Sequence, residues 1–160
     1  MKSIIHLHTQ WRDIPMRLAG DEKGIRALLL GDAETTLADL KSRFPVATLV
    51  AGDSPTLHTA LAHLENPGQN PPPPLAPAGT AFQQSVWAAL RRIPAGQTTH
   101  YAALAAAIGR PRAARAVAAA CAANPIAILI PCHRVIRRDG SPAGYRWGLE
   151  TKLQLLAAER

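Results

Sequence analysis

The run NPGQNPPPPLAPAGT, residues 66–80, constrains this chain more than any other feature. Each proline fixes its own φ, withholds an amide donor and disfavours helix in the residue before it. Neither a helix nor a central strand can run through such a stretch, so it reads as stiff, extended and exposed. The 160 residues therefore divide into residues 1–65 and 80–160, with a linker over 66–79. Each part has the size of a small domain. Hydrophobic residues make up 48% of the chain and charged residues 18%, which supports a core in each part and excludes a disordered protein.

The two parts differ in charge. Residues 1–79 hold seven Lys/Arg and eight Asp/Glu, whereas residues 80–160 hold eleven Lys/Arg and three Asp/Glu. All of the formal net charge of +7 thus belongs to the second part. Ten of its eleven cations are arginine, the side chain suited to phosphate and base-edge contacts. A polyanionic partner, most simply nucleic acid, is expected there. The bland alternative is a solvated basic surface. Two cysteines make no disulfide framework, and the start of the chain does not read as a signal peptide, so a reducing cytoplasm is expected. No apolar run approaches a membrane span.

In the first part, SIIHLHT has the alternation of a strand, and DIPMRLAGDEKGIRALLLGD reads as two strands joined by a turn around Gly20–Gly24. AETTLADLKSRF is a helix with Leu37, Leu40 and Phe44 on one face. SPTLHTALAHLEN is a second, with Ser54 as N-cap, Pro55 at its first position, and Leu57, Leu61 and Leu64 inward. His6, His8, His58 and His63 lack a cysteine partner in residues 1–79, so no zinc site is expected.

The second part is mostly helical. TAFQQSVWAALRRI carries Phe82, Val86 and Leu90 at i, i+4 and i+8, widened by Trp87 and Ile93, with Thr80 as cap. THYAALAAAIGR is a short helix stopped at Gly109, and Pro111 opens PRAARAVAAACAAN. Two helices joined by Ile108-Gly109-Arg110 form a helix-turn-helix candidate. On the second, Arg112 and Arg115 share a face, and its alanines allow close approach to a backbone. NPIAILIP reads as a buried strand or strand-like segment. LETKLQLLAAER reads as a helix with Leu149, Leu153 and Leu156 inward.

The chemistry concentrates in IPCHRVI, residues 130–136. A lone cysteine is more often a buried small hydrophobe than a nucleophile. Cys121 fits that description, four residues from Val117 on the core face of its helix. Cys132 differs, because His133 and Arg134 beside it favour a thiolate, the nucleophilic form. In an extended strand adjacent side chains point to opposite faces. Cys132 and His133 therefore cooperate only if the chain bends here or a water bridges them; otherwise His133 and Arg134 are simply exposed after a strand.

IPCHRVI resembles the active-site motif of the O6-alkylguanine-DNA alkyltransferases, and the likeness runs through nearly all of residues 79–159, including GYRWG at 144–148. GYRWG places the chain nearest to the C-terminal module of a bacterial adaptive-response regulator. The first part matches only loosely, through GIRALLLGD and the position of the linker.

The resemblance implies an α/β (α+β) fold, with a small RNase H-like sheet-and-helix domain followed by a helical, winged-helix-like domain holding the helix-turn-helix. It implies direct-reversal repair. The protein, a monomer, binds double-stranded DNA through the minor groove and rotates an O6-alkylguanine out of the stack. It then moves the alkyl group, mainly methyl, to Cys132, with O4-alkylthymine a further substrate. The thioether is stable, so each molecule acts once, without cofactor or metal. His133 corresponds to the histidine that draws off the thiol proton through a water, Glu159 to the glutamate that orients it, and Asn124 to the asparagine that braces the turn. Tyr101 corresponds to the tyrosine that helps rotate the nucleotide and donates to the leaving guanine. The carbonyls of Cys132 and Val135 correspond to acceptors for the guanine amino group, and Arg115 to the arginine that fills the gap in the stack. Arg112, Arg134 and Arg146 join them as DNA contacts.

Some features depart from the family pattern. Some members carry an N-terminal Cys/His zinc site, for which residues 1–79 have no cysteine. The regulator's additional metal-bound cysteine module has no counterpart in these residues, so its transcriptional role is not expected. Arg146 and Trp147 stand where other members have small residues, and their bulk is expected to disfavour large alkyl groups. Two other readings compete. A recognition-only binder of alkylated DNA would lack the cysteine, which is present. A Cys-His hydrolase would need an oxyanion hole that no motif supplies.

Overall fold

The computed structural model describes residues 2–160. The chain forms two compact units, one ending at Ala78 and one spanning Gly79–Arg160.

The first unit contains β1 (Ser3–Trp11), β2 (Ile14–Asp21), β3 (Gly24–Leu30), α1 (Ala33–Arg43), β4 (Thr48–Ala51) and α2 (Pro55–Glu65). Its sheet has the order β3-β2-β1-β4. The first three strands form an antiparallel meander, and β4 lies parallel to β1 after the α1 crossover. The β1–β2 turn places Arg12 and Asp13 at φ 50 and 64, the twist that lets a two-residue connection match the strands. Strand β2 is buried along nearly its whole length and contacts both helices. Met16, Leu18, Leu28, Leu40, Leu57 and Ala60 are fully buried. Ser54 caps α2 as read, accepting from Leu57 N, and Asp32, not singled out in the sequence, caps α1 by accepting from Thr35 N. On α2, however, Ala60 is buried and Leu61 only partly so.

The proline run is extended but not free. Ile25 N donates to Pro74 O at 2.8 Å, and Ala76 N donates to Ile25 O at 2.8 Å. The run thus bridges the edge strand β3 through Leu75 and covers otherwise unpaired backbone groups. Gly24 (φ 141) permits this approach, since a Cβ there would sit 2.5 Å from Pro74 O. Strand β4 is not legible in the sequence. Only Leu49 of its four residues is even partly buried, so no alternation marks it.

The second unit contains α3 (Ala81–Leu90), α4 (Tyr101–Ala107), α5 (Ala114–Ala122), a single 3-10 turn at Cys132–Arg134, and α6 (Leu149–Ala158). Thr80 and Gln83 form a reciprocal capping box at the start of α3. Helices α3, α4 and α5 pack on one another, and Trp87 Nε1 donates to Ala120 O at 2.9 Å. Gly109 (φ 77) lies just beyond the end of α4.

Three expectations are corrected in this unit. Helix α5 begins at Ala114 and not at Pro111. Pro111 and Arg112 lie in a turn closed by Ala113 N donating to Arg110 O at 2.9 Å, so Arg112 does not share a helical face with Arg115. NPIAILIP is a buried sequence of turns and not a strand. Leu129 N donates to Ala127 O, Ile130 N to Ile126 O, and Ile128 takes φ 69, rare for a β-branched residue. Helix α6 is rotated relative to the leucine stripe: Lys152 and Leu155 are buried, while Leu149 and Leu153 are each 48% exposed. The reason is polar, because three backbone carbonyls gather around the Lys152 ammonium.

Candidate active site

The site is built around a bend. Asn124, fully buried just after α5, donates from Nδ2 to Ile130 O at 2.8 Å and accepts from Ile126 N at 2.9 Å. One amide side chain thereby closes the loop of residues 125–130 into a fixed shape. The same Nδ2 donates to Cys132 Sγ at 3.1 Å. Pro131 precedes the 3-10 turn, whose residues step by about 120° around its axis. The bend that the chemistry of PCHR requires is therefore present, and Cys132 and His133 no longer lie on opposite faces of a strand. Beyond the turn, Val135 forms a parallel bridge with Thr99, just ahead of α4.

His133 is 1% exposed, and its Nε2–H donates to the Glu159 carboxylate at the end of α6. Burial alone would raise the Glu159 carboxyl. The hydrogen bonds from His133 and Arg134 outweigh it and hold the group at about 2. An ionised carboxylate only accepts, so Nε2 carries the proton and Nδ1 of the neutral ring is an acceptor. That Nδ1 is buried and has no hydrogen-bond partner among the described residues. Glu159 thus sets the tautomer that leaves a basic nitrogen in the interior. Burial pushes the Cys132 thiol above its ordinary range, and the Asn124 hydrogen bond and the Lys152 charge act against this. The resting thiol is therefore protonated at neutral pH.

Tyr101 is the first residue of α4, half-buried, with its hydroxyl pushed up by burial and by the neighbouring Cys121 and Cys132. His100 caps that helix, its Nδ1 accepting from Ala103 N at 3.1 Å. Arg115 is exposed in the first turn of α5, and Arg112 is exposed in the preceding turn. Arg146 is exposed, with its guanidinium 5.3 Å from the centre of the Trp147 ring, and Trp147 packs edge-on against Tyr145.

Arg134 is the residue that the structure places differently. Its Nε donates to Glu159 at 2.9 Å and its Nη1 to Ile93 O at 2.5 Å. The guanidinium faces inward and braces the turn, because a carboxylate and a carbonyl just beyond α3 meet its planar fork. Cys121 is buried, with burial pushing its thiol up to about 12, so it stays an inert core thiol. Sequence reasoning missed His100 and Lys152. A polar residue directly ahead of YAALAAA signals the first, whereas nothing local signals the second.

The site is a buried thiol on a braced turn with a histidine–glutamate pair beside it, in an arginine-rich helical unit. Residues 81–160 match the family described as 6-O-methylguanine DNA methyltransferase, DNA binding domain. The chain is 50% identical over 146 residues to the bifunctional transcriptional activator/DNA repair enzyme Ada of Escherichia coli, covering 89% of this chain and 41% of that protein. It is 40% identical over 157 residues to the inducible methylated-DNA–protein-cysteine methyltransferase of Bacillus subtilis, covering 94% and 87%. The crystal structure of the Mycobacterium tuberculosis O6-methylguanine methyltransferase superposes with a TM-score of 0.75 at 34% identity, covering 98% of this chain and 92% of that one. Another, of M. tuberculosis OGT in complex with DNA, superposes with a TM-score of 0.74 at 33% identity, with the same coverage. The chain belongs to the O6-methylguanine-DNA methyltransferase family. It spans less than half the length of the Ada proteins it matches.

Proposed function

We propose that this chain repairs DNA by direct reversal, taking the alkyl group of O6-alkylguanine, chiefly methyl, irreversibly onto Cys132. The observation that carries this reading is the placement of the thiol. Cys132 Sγ is held by Asn124 at the head of a bent turn, beside a His133 ring whose tautomer Glu159 sets. In the reaction the S–C bond forms as the C–O6 bond breaks. The thiol proton passes through one water to His133 Nδ1, and the Tyr101 hydroxyl donates to the guanine as negative charge develops on it.

The partner is double-stranded DNA. The exposed Arg115 at the start of α5, the neighbouring Arg112 and the alanine-rich face of that helix suit close approach in the minor groove, whose negative potential favours arginine. Arg115 fills the gap left by the rotated nucleotide and so offsets a few kcal/mol of lost stacking. The carbonyls of Cys132 and Val135 accept from the guanine amino group. Arg134 acts by bracing the turn. O4-alkylthymine is accepted as a second substrate, and the chain acts as a monomer. No step of this reaction calls for a metal or cofactor. No helix among the described residues is long and apolar enough to cross a membrane, and the chemistry requires access to DNA, in bacteria a cytoplasmic location.

The test is intact-mass measurement and peptide mapping after mixing the protein with a duplex that carries one O6-methylguanine. One added methyl group, confined to the Cys132 peptide, is expected, and Cys132→Ser should bind the duplex and gain none. Unchanged mass with tight binding would replace transfer with recognition alone.

A further inference from the structure

Helices α1, α2 and α3 are each capped by a side-chain oxygen, from Asp32, Ser54 and Thr80, whereas α4 is capped by a ring nitrogen. His100 Nδ1 accepts from Ala103 N at 3.1 Å. A backbone amide only donates, so this nitrogen carries the lone pair and the neutral ring holds its proton on Nε2. Serine, threonine, aspartate and asparagine are the usual residues at such a position. Histidine differs from them in one respect: a proton taken up near neutral pH removes its acceptor. The protonated ring would also add positive charge to the end of the helix that is already positive. The cap therefore exists only on the neutral ring.

Helix α4 has seven residues, Tyr101–Ala107, so the unpaired amides of its first turn are a large share of its backbone groups. The cap also sits at a joint. On one side of it Thr99 N donates to Arg134 O at 2.9 Å, and Thr99 O accepts from Ile136 N at 2.8 Å, which ties the chain to the reactive turn. On the other side the next residue is Tyr101. His100 thus links the segment that holds Cys132 to the helix that carries Tyr101.

The surroundings offer nothing to a protonated ring. Helix α4 packs on α3, which has no titratable side chain, and on α5, which has Arg115 and Cys121. The turn behind Thr99 carries Cys132, His133 and Arg134, and the Arg137 charge reaches Tyr101. The carboxylates of the second unit are Asp139, bonded to Ser141, Glu159, bonded to His133 and Arg134, and Glu150, exposed in the first turn of α6. Among the described residues none of them forms an ion pair with His100. Protonation would remove the Ala103 bond and supply no carboxylate in exchange.

We propose that His100 is a positioning residue of the Cys132 site: its neutral ring caps α4 and so aims Tyr101 at the rotating nucleotide, and protonation releases that aim. This rests on the alkyl-transfer reading above, with Tyr101 acting on the rotated guanine. His133 works at a different step, proton removal from Cys132, so nucleotide rotation separates the two histidines.

The test compares the wild-type chain with His100→Asn, which keeps a cap that does not titrate, and His100→Ala, which has none. Rotation is read by stopped-flow fluorescence of 2-aminopurine beside one O6-methylguanine in a duplex, and the His100 ring by NMR, from about pH 8 to about pH 5. At about pH 8, His100→Asn should rotate the nucleotide within about twofold of wild type, and His100→Ala about fivefold more slowly, the size of a lost N-cap. As the ring takes up its proton, wild type should slow about fivefold relative to His100→Asn. Equal slowing of the two, or a wild-type ring that stays neutral down to about pH 5, would overturn the proposal. If His100→Ala does not fold, wild type against His100→Asn decides. Wild-type protein that neither opens the stack nor takes up methyl would refute the alkyl-transfer reading instead. The cap is then tested without DNA: the Ala103 amide proton resonance should move with the ring's titration in wild type and not in His100→Asn, and a resonance that ignores the ring overturns the proposal.

Discussion

Glu159→Gln tests the site where it is most tightly coupled. The glutamate accepts from His133 Nε2 and from Arg134 Nε, and its Oε2 also accepts from Gly96 N at 3.2 Å. A free glutamate titrates near 4.5, and this one is held at about 2. At about 1.4 kcal/mol per pH unit, that difference is on the order of 3 kcal/mol in favour of the ionised form in the folded state. Glutamine keeps the shape and one neutral acceptor, so the expected loss at pH 7 is about 2–3 kcal/mol. The sign with pH follows from the depressed value. The contribution of Glu159 is complete above about 4.5 and disappears as pH falls through about 2. The gap between wild type and variant should therefore shrink to less than half by pH 3. Urea unfolding followed by tryptophan fluorescence measures it, since Trp87 and Trp147 both lie in the second unit. A gap of equal size at pH 7 and pH 3 would refute the assignment of an ionised Glu159. The same variant should transfer methyl more slowly, because the His133 tautomer is no longer set.

The remaining predictions concern DNA, substrate size and the first unit. Arg115→Ala should weaken duplex binding and nucleotide rotation while leaving iodoacetamide reactivity of Cys132 unchanged; reduced repair with normal affinity and normal extrusion would count against its role. Arg146→Ala/Trp147→Gly should raise the rate for benzyl relative to methyl adducts, and an unmoved ratio would sink the idea that their bulk narrows the pocket. In the first unit, Arg17 is buried and donates to His6 Nδ1 at 2.9 Å, Thr36 Oγ1 at 3.1 Å and Ala33 O at 2.8 Å. Burial, and then the Arg17 charge, push His6 below its usual value of 6.5. Its neutral form therefore stabilises the unit fully above about 6.5, and that stability declines as pH falls below it. Replacing His6 by Gln should flatten this part of the pH profile, as read by amide exchange in β1 and β2.

What could be read in advance was local. The capping residues Asp32, Ser54 and Thr80 act through bonds only a few residues long, and the strand alternation of SIIHLHT and the glycine after α4 are equally short in range. Of these, Ser54, Thr80, the alternation and the glycine were legible, and with them most of the helices and the β meander. The site residues were legible in a different way, through a long matching frame around PCHR. Where the sequence misled, distant groups decided the outcome. The apolar run NPIAILIP has strand composition, but Asn124 satisfies the backbone groups of a buried turn and leaves no ladder to form. The leucines of α6 have helical spacing, but so do Lys152 and Leu155, and the carbonyls of Val135, Ala143 and Gly144 choose between the two faces. Arg134 sits in a basic motif suited to DNA, yet Glu159, 25 residues on, turns it inward. Which residues are candidates for the chemistry, and roughly where most helices begin, followed from the order of the residues alone. Which charges face inward was settled only in three dimensions, because a buried charge is placed by partners that are remote in the chain and have no period to announce them.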